Sequence, residues 1–288
     1  MWDPRAWKDI VWRVYENIGE DRVLAVAAGV TFYALLAIFP AIAALVSVYG
    51  LFADPTSIQR HLTSLSAFVP GGAIEIISEQ VQRIASQRSG LGLAFGLGLV
   101  TSIWSANAGM KALLDALNIA YGEKETRGFI KLNATSLAFT AGMLLFAVVA
   151  LVAAVGVPVV LVRLPLGAWL ALGLQWLRWP LMLVLLALAL AVLYRFGPTR
   201  KKPRWRWISI GSAFASIAWV LVSAGFSYYA ANFGSYNQTY GTLGAAIGFM
   251  TWIWISVIAI MIGAEINSEV EAQAEGQSRG ENPTRRLA

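Results

Sequence analysis

Few side chains in this sequence are able to do covalent chemistry. His61 is the single histidine and cysteine is absent, so thiolate nucleophiles, zinc–thiolate sites and disulfide scaffolds are excluded from the start. A metal site of the usual kind needs partners at fixed spacing, and no H-x-x-H, H-x-x-x-H or D-x-D pattern accompanies His61, which reads as a surface residue. Ser102 and Ser105 fall in an apolar run without a histidine base, which argues against a serine hydrolase. No catalytic residue, metal ligand or cofactor is assigned, and the chain reads as a non-enzyme.

What remains is a set of polar residues inside apolar runs: Asn107, Lys111, Asp115, Asn133, Arg195, Glu265 and Asn267. Such groups are costly at membrane depth and are therefore functional candidates by default. With the topology derived below, most fall toward the same end of their spans, where they would face one another in a cavity open to the cytoplasm. The alternative is internal pairing, Lys111 with Asp115 and Glu265 with Arg195. On the opposite side, the segment Asn232 to Gly241 is uncharged but rich in hydroxyl and amide groups, which suits a loop dipping between helices. Gly244 and Gly248 just beyond it point to close packing of the following helix.

The elements that must position these residues are helices in lipid. The chain of 288 residues is 58% hydrophobic and only 13% charged, with mean hydropathy +0.63, far from the roughly 25% charge of soluble domains. Asp3-Pro4 is a helix start signal, and residues 4–19 read as an amphipathic helix with Trp7, Val11, Val14, Tyr15 and Ile18 on one stripe. That helix lies either in the membrane interface or against the bundle's own loops. Acidic residues throughout positions 1–22 give no sign of a cleavable signal peptide.

Six spans are expected at about 23–52, 91–118, 132–162, 178–196, 207–232 and 242–265, each an uncharged or nearly uncharged run of about 20 residues or more. Pro40 is expected to kink or split the first. Residues 55–88 read as an amphipathic helical hairpin outside the bilayer, turning at Pro70-Gly71-Gly72, and 165–177 as a re-entrant or interfacial turn. The fold class is thus an all-α polytopic membrane protein with a single membrane domain over 1–267 and a disordered polar tail over 268–288.

Basic residues decide the orientation. Of the 22 Lys and Arg residues, only Arg60, Arg83, Arg88, Arg163 and Arg178 fall on one side of this topology. The rest flank the other ends of the spans, which the positive-inside rule assigns to the cytoplasm together with both termini. The net charge of +6 is therefore explained by acidic lipid head groups, without nucleic acid as a partner. The run Arg195 to Arg206 with Trp205 and Trp207 reads as an interfacial anchor.

Five segments carry a family resemblance. Ala27-Ala28-Gly29-Val30-Thr31-Phe32-Tyr33, followed by Phe39-Pro40, resembles the first-span signature of the YihY/BrkB family. Trp104-Ser105-Ala106 with Gly109, Asn118 and Tyr121 is similar to its second span. Glu125, Arg127 and Phe129, then Tyr194-Arg195-Phe196-Gly197-Pro198, then Tyr236, Tyr240-Gly241 and Gly244 through Gly263-Ala264-Glu265-Ile266-Asn267 agree as well. One departure is Ile210-Gly211-Ser212, where relatives often carry Pro-Gly-Ala. The resemblance implies a bacterial inner-membrane protein of six helices. It also implies a choice of functions, since members of the family have been labelled ribonuclease BN, linked to serum resistance, or connected with envelope lipid export. Phosphodiester hydrolysis would want clustered carboxylates or histidines, so transport of a lipid or other amphiphile is the expected function, with an envelope-assembly role as the alternative.

Overall fold

Apolar runs of this length satisfy their backbone groups in lipid by forming helices, and all regular structure among the described residues is helical. The computed structural model describes residues 4–50, 93–152, 168–200, 205–232 and 242–279. Seven helices follow one another there: α1 Pro4–Glu20, α2 Val23–Gly50, α3 Leu93–Ala120, α4 Phe129–Leu151, α5 Ala168–Phe196, α6 Trp205–Asn232 and α7 Thr242–Arg279. The expected hairpin 55–88 with His61, and the loop holding Tyr236, Tyr240 and Gly241, lie outside these residues.

Four of the described helices, α4 to α7, are long and apolar enough to cross a membrane, and α1 with α2, bent by 60° at their junction, makes a fifth if the pair is one span. Four or five spans are thus counted among the described residues, against the expected six. α7 is the hub and packs against α1, α2, α3 and α6, while α2 lies along α3, α4 along α3 and α5 along α6. One apolar core joins Leu114 and Leu117 of α3 to Leu190 and Tyr194 of α5, with Ala215 of α6 and Ala264 of α7. A second joins Val23, Ala27 and Val30 of α2 to Ile253, Val257 and Met261 of α7.

Missing side chains set two of the closest helix approaches. A Cβ on Gly109 would stand 3.2 Å from the Ala34 backbone, so α3 lies directly on α2. Where α6 crosses α7, Gly211 and Gly263 face each other, and a Cβ on Gly263 would meet the Tyr194 hydroxyl at 2.6 Å. Small residues at such crossings let helices gain van der Waals contact that lipid cannot supply.

Several elements differ from the sequence reading. α2 runs through Pro40 as one helix and is not split there. α5 starts at Ala168, so the expected turn over 165–177 is helical from that residue on. Leu and Ala dominate Ala168–Leu177, nothing in it breaks a helix, and Pro180 is absorbed within the same helix. α7 does not fray after Asn267 but continues to Arg279, because Val270 is buried against Ile10 and Val14. Finally, α1 divides its expected stripe: Val14 faces inward with Ala6 and Ile10, while Trp7, Val11 and Tyr15 are exposed along with Trp12.

Candidate functional site

The polar residues converge at one end of the bundle, where α1, α3, α5 and α7 end and α2, α4 and α6 begin or are joined to them. The first group is a ladder between antiparallel helices. Arg13, Asn17 and Asp21 recur every fourth residue and form one stripe on α1 and its junction; Glu265, Glu269 and Gln273 do the same on α7. Arg13 donates from Nε to the Glu269 carboxylate at 2.5 Å and from an Nη to Gln273 Oε1 at 2.9 Å. Asn17 Nδ2 spans two rungs, reaching Glu269 at 2.9 Å and Glu265 Oε2 at 3.4 Å.

The second group ties the α3–α4 connection to the end of α5. The loop residues Glu125 and Arg127 pair at 2.9 Å, and Arg127 also donates to the Gly197 carbonyl at 2.7 Å. Asn118 donates to Glu125 at 3.1 Å and accepts from the Thr199 amide at 2.8 Å. Burial pushes the Glu125 carboxyl up, but its hydrogen bonds from Arg127 and Asn118 outweigh this and hold it below the usual carboxylate range. Arg200 reaches the Tyr194 carbonyl at 2.6 Å and Glu271 at 2.5 Å, and its guanidinium lies 3.9 Å from the centre of the Tyr121 ring. Burial raises the Tyr121 phenol to about 12 against the opposing pull of Arg200, so it is neutral throughout the physiological range.

The sequence-predicted residues divide accordingly. Glu265 and Asn267 are fully buried at this base; Asn267 accepts the Gly211 amide at 2.8 Å, which locks α6 onto α7 beside the glycine crossing. Glu265 meets Asn17 of α1, and the acids further along α7, Glu269 and Glu271, pair with Arg13 and Arg200. The Arg195 guanidinium lies 5.3 Å from the Phe196 ring centre. Lys111 stands over the ring of Trp104 at 5.7 Å, one turn from an exposed Asp115. Asn107 is buried higher on α3, where its Oδ1 accepts from Thr140 of α4 at 3.3 Å, and Asn133 donates to the Phe129 carbonyl of its own helix. Gly29, Phe32 and Tyr33 face outward on α2 rather than into a site.

Sequence reasoning passed over Arg13, Asn17, Thr199, Arg200, Glu269 and Glu271, and named Glu125 and Arg127 only through the family resemblance. The matching four-residue spacings of α1 and α7 were a usable signal for the ladder. No local pattern pairs Asn118 with Thr199, which are 81 positions apart.

Toward the other end, two apolar grooves flank α7. One of about 550 Å³ opens between α6 and α7 and is lined by Val222, Gly225, Phe226, Tyr229, Gly248 and Ile255 among others. One of about 260 Å³ lies between α2 and α7, beside Ala28, Thr31, Met250 and Trp254. Ile247 and Thr251 line both. Among the described residues no three His, Asp or Glu side chains come together as metal ligands.

Residues 14–288 match the family model for the virulence factor BrkB. The chain belongs to the BrkB family. A ribonuclease-like protein of Bacillus subtilis, YfkH, is 31% identical over 84% of this chain and 87% of its own length. A UPF0761 membrane protein of Cronobacter sakazakii is 28% identical over 91% of this chain and 87% of its own length. Another from Ralstonia nicotianae is 28% identical over 92% of the chain, which spans only 59% of that relative. No solved structure matches. The BrkB family is a membrane-protein family, and the apolar helices of this chain agree with a bacterial multi-pass membrane protein. The segments that carry the family resemblance in sequence, around Asn118, Glu125, Arg127, Gly197 and Glu265, are those that meet at the base.

Proposed function

We propose that this BrkB-family chain is a non-enzymatic transporter or export factor for a lipid or another amphiphile. It would sit in the bacterial inner membrane with six spans and both termini in the cytoplasm. The observation that carries this reading is the combination of a polar, buried base with apolar grooves that open sideways between helices long enough to span a bilayer. A groove of 550 Å³ falls in the range of small-ligand sites, roughly 300–1,000 Å³, and its lining suits acyl chains. The basic residues gathered at the base suit acidic head groups on the cytoplasmic face. Lys111, Glu265, Asn267 and Asn107 are the residues proposed to matter for movement rather than for folding alone.

A second reading is an envelope-assembly protein working through partners. It is favoured by the mutual pairing of Asn118, Glu125, Arg127 and Thr199, which leaves much of the base occupied with itself. The name of the Bacillus relative raises RNA cleavage as a third, and purified protein is expected to show none that a point substitution removes.

Native mass spectrometry of protein extracted in mild detergent separates these readings. Transport predicts a copurifying lipid that is lost in Gly248→Leu, which fills the α6–α7 groove, and in Glu265→Gln. A copurifying protein with no retained lipid would replace transport by assembly.

A further inference from the structure

α3 packs on α2, α4 and α7, and the face it leaves uncovered is unlike those of its neighbours. Beside it, α2 turns Leu24, Phe32 and Leu36 outward and α4 turns Met143, Leu145 and Val149 outward, all side chains that suit lipid tails. On α3 the outward positions include Thr101, Trp104, Ala108 and Asp115, with Lys111 half-buried among them. These five recur at alternating spacings of three and four residues, so they form one stripe down the helix. That spacing is the seam along which two parallel helices pack, the knobs of one entering the holes of the other.

The half of the stripe nearer the base is charged. The Lys111 backbone lies about 14 Å from the helix end at Ala120, at about 1.5 Å per residue. A charged side chain at membrane depth is costly unless it is paired. Lys111 and Asp115 are one turn apart, yet no ion pair joins them among the described residues, where the ion pairs are those of Arg13, Arg127 and Arg200. The Lys111 ammonium instead lies 5.7 Å from the centre of the Trp104 ring, toward the other end of the helix. Ala108, between Trp104 and Lys111, has no bulk to hold a neighbouring helix away, and small residues of this kind let membrane helices approach closely.

We propose that this face of α3 binds a second copy of the chain, α3 against α3 about a two-fold axis along the membrane normal. Copies inserted in the same orientation present parallel α3 helices, and in such an isologous contact Lys111 of each meets Asp115 of the other. The face is therefore its own complement in charge. Trp104 and Ala108 occupy consecutive layers, large then small, so the backbones come closest at Ala108 while the indoles fill the space above it. Lipid tails on this face would leave both charges in hydrocarbon, and an uncharged helix would do the same. The contact uses none of the groove lining, and so goes beyond the transport reading without depending on it.

Because the chain has no cysteine, Ala108→Cys is a single-cysteine probe of this contact. Oxidation in native membranes should give a disulfide-linked dimer on a non-reducing gel, whereas Leu145→Cys, on the exposed face of α4, should give none. In the Ala108→Cys background, Lys111→Asp makes the charged half of the stripe all acidic and Asp115→Lys makes it all basic. Each variant alone should lose about tenfold or more of the cross-linked product, because like charges facing each other across an interface suppress association. Co-expressed with different tags, the acidic and basic copies should recover the product as a heterodimer carrying both tags, which also shows that each variant folds and inserts. The proposal is overturned by any of three results: no dimer from Ala108→Cys, as much from Leu145→Cys, or no gain on co-expression when both copies are present in the membrane. Capture of a different protein at position 108 overturns it as well. The dimer is read without a transported substrate, so this proposal and the transport reading can fail separately.

Discussion

Glu125 is held as an anion by Arg127 and Asn118, and its depressed titration has a definite sign. A carboxyl whose folded value lies below its unfolded one contributes stability that is present above the ordinary carboxylate range. That stability is lost as pH falls through the folded value. The thermal midpoint of the parent in detergent should therefore exceed that of Glu125→Gln at neutral pH, and the gap should close on acidification. Arg127→Ala removes the bond to the Gly197 carbonyl as well as the partner of Glu125, so a loss of about 2–3 kcal/mol is expected, as for hydrogen bonds to charged groups. An equal midpoint for parent and Arg127→Ala would show that the loop contributes nothing. At this scale the sequence singled out Glu265 and Asn267 because amides and acids stand out in apolar runs. It could not pair them, since a side chain's partner depends on which helix lies opposite.

Helix crossings carry the next set of expectations. Gly211 and Gly263 allow α6 and α7 to touch backbone to backbone, and a methyl group at either position would collide with the facing helix. Gly211→Ala and Gly263→Ala should each lower stability by about 1–3 kcal/mol, the usual cost of overpacking, read as a lower midpoint or a smaller folded yield. Gly248→Leu is the contrast. Its added Cβ would meet only the Phe226 ring at 3.5 Å, so the variant should fold normally while closing the groove. The small-residue spacing Gly244-x-x-x-Gly248 drew attention in the sequence, yet the tightest crossing uses Gly211 and Gly263, whose proximity depends on two separate helices. Truncation after Asn267 should free α1, because Val270, Glu269 and Gln273 hold it in place. The test is faster proteolysis within residues 4–20 of the truncated chain.

For the whole molecule, orientation is the quantity to measure. With both termini in the cytoplasm, a cysteine at Gly128 lies on the inner face and one at Gly173 on the outer; both positions are open to an added side chain. A membrane-impermeant maleimide added to intact spheroplasts should label Gly173→Cys and spare Gly128→Cys, and the opposite pattern would invert the proposed topology.

The sequence by itself determined that the described residues are helical and apolar enough for a membrane protein, because hydropathy depends on composition along the chain, and long uncharged runs satisfy their backbone groups in hydrocarbon as helices. It also marked the family, since the residues of the resemblance are read in order. The tertiary structure decided which stripe of α1 faces inward and how far α7 continues, because both depend on Val270, Ile10 and Val14 finding one another across more than 250 residues. It likewise decided that Glu265 lies against Asn17 of α1. Periodicity places a side chain on a face of its helix, but only the packing of helices determines what that face meets.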